Sequence, residues 1–170
     1  MNEALQKNKI LTHQQIQRKI IRIAFEIYEN NFGASEIILA GIYDKGYVLA
    51  KQISDALTNV SPLKTQLFRL NIDKQQVVDS PVELNCPIES LAGKRVVLVD
   101  DVLSTGATLA YALKPFLIAG VDKLEIAVLV NRNLLKFPIH ATYTGFELST
   151  TLTEHIDVCF EGDAIEAFLY

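Results

Sequence analysis

Three aliphatic runs without polar alternation, Glu36 to Ile42, Val96 to Asp100 and Leu124 to Val130, constrain this chain more than any other feature. Such a run reads as a strand covered on both faces, because alternate side chains point to opposite sides of a sheet. Helical periods lie between them. From Gly46, residues Leu49, Ile53, Ala56 and Leu57 fall on one side and Lys51, Gln52 and Asp55 on the other. Thr108 to Ala119 is also helical in period, and Gly120 ends it. Alternating strands and helices joined by short loops predict an α/β fold: an open, mainly parallel sheet with helices on both faces and right-handed crossovers.

The flanks are read the same way. Thr12 with Gln15 has capping-box spacing, and apolar residues at helical period predict a helix from Thr12 to Phe32. Lys64 to Leu70 reads as a strand, and Asn71 to Glu89, mixed and rich in turn formers, as a long mobile loop. Thr142 to Leu148 and His155 to Glu161 read as strands, and Asp163 to Tyr170 as a terminal helix or tail. At 170 residues the chain is expected to form one domain, 1–170. Its 49% hydrophobic and 21% charged residues exclude a disordered chain, and a net charge of -4 excludes an overall basic nucleic-acid binder. No run reaches the ~18 apolar residues of a membrane span, and no secretory h-region follows Lys7 and Lys9, so a cytoplasmic protein is expected. Cys86 and Cys159 have neither scaffold nor CxxC spacing and read as incidental thiols.

Chemistry concentrates where the second aliphatic run ends. Val96 to Val99 is followed by Asp100 and Asp101, then by Ser104, Thr105, Gly106, Ala107 and Thr108, a small hydroxyl-rich turn opening a helix. The carboxyl ends of parallel strands face the ligand crevice, so the two acids stand where a polar ligand binds and can accept from vicinal hydroxyls. The turn offers backbone N–H groups, hydroxyls and a helix N-terminus, a combination suited to a phosphate. Each part alone reads as a solvated strand end or a helix cap. Together, after a buried strand, they favour a sugar-phosphate site.

The stretch from Val96 to Thr108 resembles the phosphoribosyl pyrophosphate signature of the type I phosphoribosyltransferases. Ile42 to Gly46 resembles that family's pyrophosphate loop, and the 71–89 loop stands where its mobile flap does. Over nearly its whole length the chain is similar to the bifunctional pyrimidine operon attenuators with uracil phosphoribosyltransferase activity. The resemblance implies a type I phosphoribosyltransferase fold with a flap and a small hood, and transfer of phosphoribose to a nucleobase with release of pyrophosphate. It implies Mg2+ as cofactor, held by the substrate's diol and pyrophosphate rather than directly by protein. Asp100 and Asp101 would hold the ribose hydroxyls; Ser104, Thr105, Gly106, Ala107 and Thr108 the 5'-phosphate; Asp44, Lys45 and Gly46 the pyrophosphate. Arg69 would reach the pyrophosphate or tie the loop, and Arg132, beyond a strand end, would contact the base. A homodimer is implied, with apolar positions of the first helix as contacts.

Departures from the pattern shape the functional expectation. Ser104 stands where purine-salvage members carry an acid, and a serine has no useful basicity near neutral pH, so a pyrimidine, uracil first, is the expected acceptor. Ala107 stands where the attenuators usually have Arg, and Leu134 and Leu135 where they have basic residues. No Lys or Arg follows Lys136, while six acids lie from Glu147 to Glu166; the rest of the chain has sixteen basic against fourteen acidic residues. RNA binding needs several cationic contacts at once, so it is disfavoured, with Lys9, Arg18, Lys19 and Arg22 as the one local patch. The alternative is a regulatory protein, attenuator-like or competence-associated-like, that binds phosphoribosyl pyrophosphate or a nucleotide with little catalysis. His13, His140 and His155 lack metal-ligand spacing and read as surface or core polar groups.

Overall fold

The computed structural model describes residues 7–170; Met1 to Gln6, the start of the expected domain, lie outside the described residues. Strands β2 (Glu36–Ile42), β3 (Lys64–Asn71), β5 (Arg95–Leu103), β6 (Lys123–Asn131) and β7 (Tyr143–Glu147) pair in parallel, and the two-residue β4 (Glu83–Leu84) adds an antiparallel edge. The order is β4-β3-β2-β5-β6-β7. Alternate residues explain why the runs are aliphatic throughout. Ile37, Leu39, Val97, Val99, Ala127 and Leu129 enter one core, while Ile38, Ala40, Val96, Leu98, Ile126 and Val128 enter another. Helices α1 (His13–Asn30) and α2 (Lys45–Val60) cover the first face; α3 (Ala107–Ala112) and α4 (Lys114–Ala119) cover the second.

Local rules act as expected in α1, where Thr12 Oγ1 accepts from Gln15 N and Gln15 Oε1 accepts from Thr12 N, the reciprocal capping box. The helix expected from Thr108 to Ala119 is instead two short helices broken at Leu113. Pro115 is the cause: it lacks an N–H and its ring crowds the carbonyl four residues back. Both pieces keep the period and bury Leu109, Ala112 and Phe116. Gly120 ends α4 in the left-handed conformation.

Four further differences matter. The central strand runs past Asp100 to Leu103, so both acids lie inside β5. Asn8–Leu11 forms β1, and the segment expected as a terminal helix or tail is β9 (Ala164–Leu169). With β8 (Ile156–Glu161) they make an antiparallel sheet ordered β1-β9-β8, standing as a small hood apart from the main sheet. Ala164 to Leu169 is composed largely of helix formers, but Ile165 and Ala167 alternate inward and cross-strand pairing decides the outcome. The 71–89 loop is tied at both ends, first by β4 against β3 and then by a 3-10 turn at Ile88–Leu91.

Candidate active site

Register brings the functional segments to one edge of the sheet. Gly41 pairs with Arg69 and Val99, Asp100 with Val128, and Leu103 with Asn131, so the strand ends that carry the predicted residues are level. The entry of α2 lies directly against β5: a Cβ on Gly46 would meet Val99 O at 2.6 Å. Gly46 is therefore a packing glycine, required where helix and strand touch.

A cleft of about 930 Å3 opens above this edge. It brings together Asp44, Lys45, Asp100, Asp101, Ser104, Thr105, Thr108 and Arg132 from the predicted set. Gly46, Gly106, Ala107 and Arg69, also predicted, are not among the lining residues. The Arg69 guanidinium instead lies over the Tyr43 ring, 5.1 Å from its centroid, while its backbone pairs with Asn85.

Asp100 and Asp101 are 2% and 7% exposed. Asp100 Oδ1 accepts from Asp101 N at 3.0 Å and from Lys74 Nζ at 2.8 Å; Lys74 Nζ is also 3.5 Å from Asp101 Oδ1. Burial and the neighbouring Asp101 charge push the Asp100 carboxyl up to about 7, against the pull of Lys74. Burial pulls Lys74 down, yet the facing carboxylates outweigh it and its ammonium is held above the usual lysine value.

The turn after β5 is fixed from below. Gly106 has φ +84°, a conformation that disfavours any side chain, and Thr105 O accepts from the backbones of Lys136 and Phe137. Ser104 Oγ accepts from Arg132 Nη1 at 3.0 Å. Arg132, 5% exposed, further donates to Thr150 Oγ1, Thr151 O and Glu154 O. Of the five guanidinium N–H donors, one on Nη1 is left over. On the opposite wall Lys45 Nζ pairs with Asp157 Oδ1 of β8 at 2.5 Å. That contact holds the Asp157 carboxyl below the usual carboxylate range.

Sequence reasoning passed over Lys74, Asp157, Thr153, His155 and Tyr170, all of which line the cleft. His155, read as a surface or core polar group, is an exposed residue on its hood side. Nothing in the sequence marked Lys74 among its polar neighbours, and Asp157 becomes visible only when the hood is folded.

Two acids towards the carboxyl end of β5, a hydroxyl-rich turn and a lysine-bearing loop thus face one cleft on a doubly covered parallel sheet. The chain belongs to the phosphoribosyltransferase family: the phosphoribosyl transferase domain matches residues 6–161. Among its relatives, the bifunctional protein PyrR of Clostridium kluyveri is 35% identical over 159 residues, 89% of each chain. That of Deinococcus radiodurans is 35% identical over 160 residues, 89% of this chain and 87% of the relative. The fold is shared with a hypoxanthine phosphoribosyltransferase of Staphylococcus aureus, at a TM-score of 0.74 and 20% identity over 92% of this chain and 86% of that one.

Proposed function

We propose that the chain transfers phosphoribose from phosphoribosyl pyrophosphate to a pyrimidine, uracil first, releasing pyrophosphate. The observation that carries this reading is the buried pair Asp100 and Asp101 beside the 104–108 turn, in one cleft with Lys45 and Arg132. In the transfer, a ring nitrogen bonds to C1 as the bond from C1 to the pyrophosphate oxygen breaks, and positive charge develops on the ribose. The two carboxylates accept from the ribose hydroxyls and favour that charge electrostatically. Backbone N–H groups and hydroxyls of residues 104–108 take the 5'-phosphate, and Asp44 to Gly46 with the Lys45 ammonium take the pyrophosphate.

Magnesium fits this donor set. Two adjacent buried carboxylates, one with its pKa pushed up to about 7, share the Lys74 ammonium as their ion-pair partner, so a cation arriving with the substrate relieves their repulsion. Asp100 and Asp101 would hold it through the diol, and when bound it offsets charge on the leaving pyrophosphate. Arg132 sets the base preference: its remaining Nη1 hydrogen suits a pyrimidine carbonyl and its charge favours the ionised base, whereas Ser104 supplies no acid for a purine nitrogen. The chain works in this reading as one cytoplasmic domain with 71–89 as its flap. It forms a homodimer through α1, where Ile21 and Phe25 are 45% and 47% exposed.

Pyrophosphate release from phosphoribosyl pyrophosphate and Mg2+ across a panel of free bases tests the proposal. Release with uracil and little with hypoxanthine is expected; no release with any base would sink it. The relatives named bifunctional favour a second reading, regulation through RNA. Arg18, Lys19 and Arg22 do line a groove with Phe146, but Arg22 is paired with Glu26 and Lys9 with Glu166. Few free cations remain to release counterions, so a pyrimidine-operon hairpin is expected to bind no better than a scrambled RNA at physiological salt. Tight selective binding would restore the regulatory reading.

A further inference from the structure

We propose that Lys74 is an internal latch: in the free protein its ammonium occupies the acid pair and holds the 71–89 loop over the cleft, so substrate binds only by displacing it. This deepens the reading above and rests on it, since the site regulated is the same one. Lys74 is an exposed residue, yet its Nζ reaches Asp100 and Asp101 at 2.8 and 3.5 Å. The rest of the loop presents it there. Ser80 Oγ accepts from Asp73 N at 2.9 Å and Asp73 Oδ1 from Gln75 N at 2.8 Å, closing the segment around Lys74. The base of the loop is fixed by the ladder between β3 and β4 and by Asn85 on Arg69.

The competition is chemical. A carboxylate oxygen engaged by an ammonium is a poor acceptor for a ribose hydroxyl, and Asp100 Oδ1 already accepts from both Lys74 Nζ and Asp101 N. Its acid partners are buried and hold neighbouring charges that repel, so releasing Lys74 without a replacement cation leaves buried charge uncompensated. Binding therefore exchanges one cation for another at the acid pair. Only the unlatched fraction of the free protein is then competent to bind, and the apparent affinity for substrate is reduced by that fraction.

Lys74→Gln and Lys74→Arg, compared with the unaltered chain, test this in two measurements. The first is hydrogen exchange of the amides in residues 72–82 without ligand. Lys74→Gln is expected to speed it about tenfold, as local opening becomes easier, with Lys74→Arg close to the unaltered chain. The second is calorimetric titration with phosphoribosyl pyrophosphate and Mg2+, where Lys74→Gln is expected to bind about fivefold tighter and Lys74→Arg about as the unaltered chain. Equal loop exchange in all three would overturn the latch. So would faster exchange with weaker binding, since Lys74 would then grip the substrate rather than exclude it. If the unaltered chain binds no phosphoribosyl pyrophosphate, the proposed function fails, and the exchange data alone decide whether Lys74 holds the loop.

Discussion

Two buried carboxylates on neighbouring strands, Asp100 near one end of β5 and Glu125 near the other end of the sheet on β6, are satisfied in opposite ways. Glu125, 5% exposed, accepts from Asn31 Nδ2 at 2.8 Å and Tyr143 OH at 2.8 Å, and Lys123 Nζ lies 2.9 Å away. All three partners belong to the main sheet or to the end of α1. Asp100 sits beside a second acid, and among the described residues the one cation paired with it comes from a loop. A permanently completed acid contributes to the fold; an acid whose partner can leave is available to a ligand.

The comparison breaks most visibly in turnover. Asp100→Asn and Asp101→Asn are each expected to lower kcat about 100-fold, the usual loss when a group that stabilises transition-state charge is removed, whereas Glu125→Gln leaves kcat per folded molecule unchanged. Steady-state kinetics on matched folded fractions decides, and an Asp variant at full turnover would erase the distinction. In chemical denaturation the order reverses. Glu125→Gln is expected to cost about 2 kcal/mol, because Tyr143 and Asn31 lose a charged acceptor inside the core.

A smaller effect separates the two acids by pH. The folded Asp100 pKa is raised to about 7, above its value in the unfolded chain. Its contribution is therefore favourable at low pH and is lost as pH rises through about 7, where the folded state must carry a penalised charge. Asp100→Asn removes that penalty and is expected to melt about 3 °C higher at pH 8, a gain that fades by about pH 4. The melt responds although the acid lines the cleft, because Asp100 is enclosed as fully as the core around it. The smallest change is expected from Lys123→Gln, about 0.5 kcal/mol, since that lysine is partly exposed and screened. A larger cost would mean that Glu125 depends on its cation as Asp100 does.

What the sequence revealed follows the range of the forces involved. Glu36–Ile42 and Lys64–Asn71 agree with the expected strands to within a residue, because a strand buried on both faces writes its environment into every position. The acids and the turn were legible because chemistry and backbone there are consecutive. The φ of +84° at Gly106 adds a backbone reason for glycine in that turn. Asp157 and Lys74 were invisible for the opposite reason: they reach the site from positions 112 residues from Lys45 and 26 from Asp100. Pro115 was in plain view, and the helical period masked the break it causes.

The pairing of β1 with β9, Asn8 opposite Leu169, has a consequence for how the protein is made. Strands β2 to β7 and their helices can assemble as they leave the ribosome, since their neighbours are mostly close in the chain. Residues 8–11 are synthesised before all of these yet have no strand partner until 164–169 emerge. The roof of the cleft is thus the last part to be built, although its first strand is among the earliest translated. A chain stopped short of residue 164 would have its acid pair in place beneath an unfinished hood.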